Sequence, residues 1–345
     1  MIVTKFGGTA ITPRNLHRVK EIVESDENRK LVVVSAIGKT HETDVKTTDL
    51  LIDFFQSGKL DCWQKVCNKY EQLVFYNKIG FDVEKSLQEA FLRIQKARRV
   101  DDVASIGEEL SAKIVAKYLN FDYVEAENVI LFDEKLSILK TAKMLKSTIK
   151  NIKKGSVLGG FYGGSKTGRK LFERGGSDVS ASLCATALNF DMVENFVDVS
   201  GFCVASPKQV FAPKTIRCIS FDDATILTKF GATVLHPTCI TLLKRKNIPL
   251  SVKSFYNPYD QGTIISNESA PKQLLGLSAK QIGNKVVAKV VFSYSPQDAL
   301  NLLSKTNLPF DKIKLEKNCL TIETQEKCDV VANYLYNTFA VDTAS

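Results

Sequence analysis

The segment Leu31-Val32-Val33-Val34-Ser35-Ala36 constrains the fold more than any other. A run this short and this uniformly apolar has no solvent-facing side, so it reads as a strand covered by helices on both faces of a parallel sheet. Strand-like runs recur at residues 2–6, 123–126, 156–161, 193–199 and 249–252, with helical periodicity between them. Strands alternating with helices predict an α/β fold, a parallel-rich sheet sandwiched by helices. Thr12 is placed to cap a helix beginning at Pro13 and running to Glu24, with Leu16, Val19, Ile22 and Val23 inward. Helical spacing dominates residues 48–118, broken near 78–82, which predicts a helical subdomain between the second and third strands of the sheet. The character of the chain changes after the turn-rich Asn257-Pro258-Tyr259-Asp260-Gln261-Gly262-Thr263, and the expected division is 1–270 and 271–345. In the second part Val286 to Phe292 reads as a strand, and Pro296 starts a helix through Ala299, Leu300, Leu302 and Leu303. Two strands flanking Asn318 and a helix with Val330, Val331, Tyr334 and Leu335 inward complete it.

Composition narrows the function classes. A chain of 345 residues suits one large α/β unit and a smaller one. No apolar run approaches the ~20 residues that span a bilayer, and a strand-like run starts at Ile2, so no membrane and a cytoplasmic location are expected. The eight cysteines (62, 67, 184, 203, 218, 239, 319 and 328) form no Cys-x-x-Cys pair and have no His-rich neighbour. Buried reduced thiols are expected, with no protein-held metal site and no disulfide framework. The net charge of +9 is diffuse apart from residues 140–154, where Lys143, Lys146, Lys150, Lys153 and Lys154 fall opposite Met144, Leu145 and Ile149. That spacing predicts a solvated helix face and no nucleic-acid partner, and a basic surface also suits anionic substrates.

Two Gly-rich sites carry the chemistry. Lys5-Phe6-Gly7-Gly8-Thr9 is a strand end opening into a loop and then a helix. Glycines there let backbone N–H groups approach phosphate oxygens, and the lysine adds a positive point charge. Arg174-Gly175-Gly176-Ser177-Asp178 precedes a helix of small residues, capped by Ser177 or Asp178. Free N–H groups beside a guanidinium suit a carboxylate or a phosphate. Gly38-Lys39-Thr40 is a decoy for a Walker A loop, because Val33 stands where the leading glycine belongs. Gly163-Gly164-Ser165-Lys166-Thr167 fails on register, and no Gly-x-Gly-x-x-Gly follows a strand.

Taken in order, these segments resemble the aspartokinases of the amino-acid kinase family. Lys5 to Thr9 is similar to their N-terminal signature, and Val33-Val34-Ser35-Ala36-Ile37-Gly38-Lys39-Thr40 to their second-strand motif. Ser105-Ile106-Gly107-Glu108-Glu109-Leu110-Ser111 resembles their Gly-Glu-x-x-Ser helix start. Gly159 to Phe161, Arg174 to Asp178, Phe230 to Pro237, Ser251 to Ser254 and Gly262 to Ile264 match further segments. The resemblance implies the amino-acid kinase fold plus a small α+β, ACT-like (ferredoxin-like) domain. It also implies ATP-dependent phosphorylation of the side-chain carboxylate of L-aspartate, the first step toward lysine, threonine and methionine. Lys5 and Asp178 are then the catalytic pair, with Asp178 holding Lys5. Ser35, Thr40, Glu108, Arg174 and Ser177 face the substrate, Arg174 on a carboxylate and Glu108 on the α-ammonium. Lys5, Gly7, Gly8, Thr9, Asp198, Cys203 and Lys208 face ATP, and Mg²⁺ rides on its phosphates. A homodimer through the C-terminal domain and a lysine or threonine effector are further implications.

The chain departs from the family on one side only. Where relatives have Thr-Asp-Val-Asp-Gly-Val-Tyr-Thr-Ala-Asp-Pro-Arg, it has Val197-Asp198-Val199-Ser200-Gly201-Phe202-Cys203-Val204-Ala205-Ser206-Pro207-Lys208, and Thr233 replaces a lysine. These positions lie on the family's nucleotide side, so weak ATP binding is expected while the aspartate side stays intact. Two other readings stand beside an active aspartokinase. One is a weakened paralogue that binds an amino acid and regulates a partner. The other is a kinase of the same fold for another small carboxylate or phosphate.

Overall fold

The computed structural model describes residues 1–149, 154–172, 175–230, 235–268 and 270–341. The chain opens with β1 (Ile2–Phe6), α1 (Leu16–Glu24) and β2 (Arg29–Val34). Five helices follow: α2 (Thr47–Ser57), α3 (Leu60–Tyr76), α4 (Val83–Lys96), α5 (Val100–Ala104) and α6 (Ile106–Leu119). Next come β3 (Asp122–Val124), α7 (Ala126–Val129), α8 (Ile138–Thr148), β4 (Ser156–Gly159), β5 (Tyr162–Ser165), β6 (Gly168–Leu171) and α9 (Gly176–Leu188). Then run β7 (Met192–Val197), β8 (Phe202–Cys203), β9 (Thr215–Ile216), β10 (Cys218–Ser220), α10 (Phe221–Lys229), α11 (Pro237–Lys246), β11 (Leu250–Ser254) and β12 (Thr263–Ser266). The last stretch is β13 (Leu274–Ile282), β14 (Lys285–Phe292), α12 (Pro296–Ser304), β15 (Lys312–Glu316), β16 (Cys319–Thr324) and α13 (Cys328–Val341).

The central sheet has the order β10-β12-β11-β7-β1-β2-β4-β3, parallel except where β11 meets β12. Its strand order reverses at β1, which lies between β2 and β7 with Lys5 opposite Val33 and Asn195. Such a reversal opens a crevice beyond the C-terminal strand ends, which is where open α/β sheets bind ligands. The apolar run in β2 is buried on both faces, as its composition requires. Leu31 and Val33 join the core under α9, while Val32 and Val34 join the core under α1 and the helical subdomain.

The first helix starts later than the sequence predicts. Residues 13–15 form a turn, α1 begins at Leu16 after Asn15, and Thr12 contributes its carbonyl to the Asn15 and Leu16 amides instead of a side-chain cap. The Asn15 side-chain amide is drawn to the Thr9 carbonyl at 2.8 Å, so closing the loop after Gly8 outweighs the Thr-Pro start signal. The Lys-rich helix is α8, which ends at Thr148. Lys150 and Lys153 lie outside the described residues, and Lys154 pairs with Asp122.

A second sheet, β13-β14-β16-β15, is antiparallel throughout. Its edge strand β13 precedes the strand–helix–strand–strand–helix unit predicted for this part and is additional to it. Its apolar residues continue the central core from Leu274 to Phe339. Segment 204–214 fastens the two sheets. The Leu277 amide donates to the Val204 carbonyl at 2.6 Å, the Gln209 side-chain amide donates to the Ala279 carbonyl, and the Lys214 amide donates to the Tyr336 hydroxyl at 3.0 Å. Among the described residues no helix is long and apolar enough to cross a membrane.

Candidate active site

The loops after β1 and β2 meet back to back. The Gly38 amide donates to the Gly8 carbonyl at 2.8 Å, and a Cβ on Gly8 would stand 2.7 Å from the Ala36 carbonyl. Neither position has room for a side chain, whereas a Cβ on Gly7 would meet nothing within 4 Å. The Gly7 backbone therefore faces open space, the condition for amides to approach an anion. That space is a cleft of about 450 Å³ whose walls include Gly7, Gly8, Thr9, Ser35, Glu108 and Asp198.

Lys5 forms a 2.7 Å ion pair with Asp178, both side chains nearly buried. Asn195, across the sheet from Lys5, donates to the same carboxylate at 3.3 Å. Asp178 lies in the first turn of α9, but neither it nor Ser177 caps that helix. Gly175, at φ +78°, is the cap residue and makes no side-chain bond. The glycine lets the chain turn in without a side chain, which leaves Asp178 for Lys5 and Ser177 for Ser35, hydroxyl to hydroxyl at 3.0 Å. His236 takes a structural part, its Nδ1 accepting from the Thr238 amide to cap α11.

Glu108 also lines this cleft. It is 5% exposed, and its Oε2 has no hydrogen-bond partner. Burial pushes its carboxyl up to about 8. The next residue, Glu109, points away into a cluster of cations: Arg93 at 2.7 Å, Lys113 at 2.6 Å and Arg169 at 2.7 Å. These hold it down to about 2 against the cost of burial. A free buried acid facing a cleft wants a cation from outside, and a paired one does not.

Of the residues singled out from sequence, Gly7, Gly8, Thr9, Ser35, Glu108 and Asp198 line the cleft, with Val197 beside them. Lys5, Thr40, Ser177 and Asp178 do not. The Thr40 hydroxyl and amide both donate to Asp44, at 2.8 and 2.7 Å. Cys203 and Lys208 are exposed and absent from the cleft walls. Arg174 and Thr233 lie outside the described residues. Sequence reasoning passed over Lys39, Lys46 and Thr48, which do line the cleft. The available signal was Lys46-Thr47-Thr48-Asp49, a polar start to an amphipathic helix just after the glycine loop.

The amino acid kinase family model matches residues 1–254. Aspartokinase 3 of Bacillus subtilis is 30% identical over 285 residues, covering 76% of this chain and 63% of that protein. The aspartokinase of Chlamydia pneumoniae is 31% identical over 280 residues, 76% of this chain and 62% of its own length. The chain thus spans less than two thirds of either relative. The crystal structure of Clostridium acetobutylicum aspartate kinase superposes with a TM-score of 0.87 at 26% identity, over 98% of this chain and 100% of that one. A parallel sheet reversing at a strand that ends in Lys-Phe-Gly-Gly, matched by the family model over the whole of that sheet up to β11, makes this chain a member of the amino acid kinase family.

Proposed function

We propose that the chain transfers the γ-phosphoryl group of ATP to the side-chain carboxylate of L-aspartate, giving 4-phospho-L-aspartate and ADP. Glu108 carries this reading: an unpaired buried carboxyl on the cleft wall is a seat for an α-ammonium. The ammonium draws Glu108 to its ionised form, and the resulting buried pair discriminates against acceptors without an amine. Arg174, by its place before α9, takes the α-carboxylate, and Ser35 and Ser177 offer hydroxyls. The substrate's own side-chain carboxylate, with an unperturbed pKa near ~4, arrives ionised and attacks the γ-phosphorus without a general base. Chemistry then needs positioning and charge neutralisation. Lys5, fixed by Asp178, meets the charge on the transferring group, and the Gly7 and Gly8 amides donate to its oxygens. Asp198, read as facing the nucleotide, is with Glu108 one of the two carboxylates lining the cleft, a set that fits Mg²⁺ carried by phosphates and water rather than caged by protein. When bound, the ion would offset phosphate charge.

The second sheet is read as an ACT-like regulatory unit spanning the last part of the chain, 271–345. Its edge strand β15 is largely exposed, as is Tyr334 on α13. Pairing with a second chain would cover such an edge, and the Clostridium relative is described as an allosteric enzyme. A homodimer and a lysine or threonine effector follow from that reading. Trapping acyl phosphate with hydroxylamine tests the main claim: hydroxamate should form with aspartate, ATP and Mg²⁺. Turnover of glutamate or N-acetylglutamate in its place would overturn it.

A further inference from the structure

Segment 38–46 runs from the glycine loop to the start of α2 and is tied down from one point. Lys69, on α3, is 8% exposed, and its Nζ donates to Asp44 Oδ2 at 2.5 Å and to the Gly38 carbonyl at 3.3 Å. The same Asp44 oxygen receives the Thr40 amide and hydroxyl, while Asp44 Oδ1 accepts from the Val45 amide at 2.8 Å. Thr47 then donates to the Ile37 carbonyl at 2.7 Å and closes the segment at its far end. Gly38 is in turn bonded to Gly8, so a chain of contacts runs from α3 through Lys69 and Gly38 to the phosphate-facing loop. The cations Lys39 and Lys46 sit on this segment, are exposed, and line the cleft.

We propose that Lys69 and Asp44 are positioning residues that hold segment 38–46 as a fixed lip, keeping Lys39 and Lys46 at the cleft to attract anionic substrates. The geometry favours this over plain stabilisation. Lys69 reaches out of the helical subdomain to bind only this segment, and every side-chain bond of Asp44 goes to the segment itself or to Lys69. A fixed lip keeps the ammonium groups near the anion without an ordering cost at each binding event. This inference rests on the kinase reading for its substrate and stands apart from it for its structure.

The test uses the full chain with Lys69→Met, which keeps the stem and removes the charge, and Lys69→Arg as the conservative partner. Hydrogen exchange of the peptide covering 38–46 should quicken about tenfold or more in Lys69→Met while exchange in the central strands is unchanged. The KM for aspartate should rise about tenfold with kcat within about threefold, the pattern of lost binding and not of lost chemistry. Lys69→Arg should recover most of both. If Lys69→Met lowers the melting temperature but leaves exchange at 38–46 and the KM as in the parent, the residue is a structural prop and the proposal fails. Should the parent turn over no aspartate, the kinase reading fails, and the exchange measurement alone still decides whether the lip is held by this pair.

Discussion

Glu108 and Glu109 are neighbours on α6, both buried, and they live in opposite electrostatic worlds. Glu109 faces away from the cleft into Arg93, Lys113 and Arg169. Arg169 itself is buried over the Tyr162 ring and also pairs with Glu125 and Glu127. Glu108 faces the cleft with one oxygen unpartnered. The two carboxyls are accordingly pushed apart, one down to about 2 and the other up to about 8. Burial raises both, so the difference is made by partners alone. A satisfied buried charge belongs to the fold, whereas an unsatisfied one costs stability and is retained where something else must bind.

The largest effect is expected at Glu109. Removing one member of a buried ion network strands the others, so Glu109→Gln should cost about 3 kcal/mol of unfolding free energy. The folded fraction should keep its aspartate turnover. Denaturant titration and activity on the same samples check both, and an unchanged midpoint would mean that the network is ornamental. Glu108→Gln should behave in reverse. Stability holds or rises, because no buried charge is left unpaired, while aspartate affinity drops by about 2 kcal/mol, near thirtyfold.

The pH dependence sharpens the contrast. Glu109 is lowered from 4.5 to about 2, so its contribution is fully present above 4.5 and is lost as pH falls through about 2. Glu108 is raised from 4.5 to about 8, so between those values the folded protein holds a proton that the unfolded chain has released. Stability therefore declines as pH rises across that window, and Glu108→Gln should flatten the decline. Thermal melts at intervals from pH 5 to pH 8 would show it. The smallest effect is expected where ATP is proposed to bind. Val197 lines the cleft, so Val197→Thr should improve ATP affinity about fivefold, on the order of 1 kcal/mol. Cys203→Tyr should change it less, because Cys203 is exposed and off the cleft wall.

Short-range patterns made much of this legible from sequence. The apolar run of β2, the glycine pair after Lys5 and the small residues of α9 have direct physical readings, because each is dictated by contacts within a few residues. What escaped was decided by partners outside the pattern that each segment shows by itself. Thr12 and Pro13 look like a helix start, yet the Asn15 side chain is claimed by Thr9. Thr40 looks like a substrate hydroxyl, yet Asp44, held by Lys69 from another helix, takes it. Strand β13 does have a turn signal, Gly283-Asn284, but Gly276 and the polar Lys280-Gln281 blur its alternation, and pairing with β14 fixes it. Glu108 could be named from a motif, but only the packing of α6 against Ala36 revealed its empty oxygen.

As the proposed ammonium seat, Glu108 holds its proton until aspartate arrives and gives it up on binding. Calorimetric titration of aspartate at pH 7, repeated in buffers of different ionisation enthalpy, measures that proton directly. Net proton release is expected on binding by the parent chain, absent in Glu108→Gln along with most of the affinity. Binding of equal strength with no proton released by either protein would contradict it.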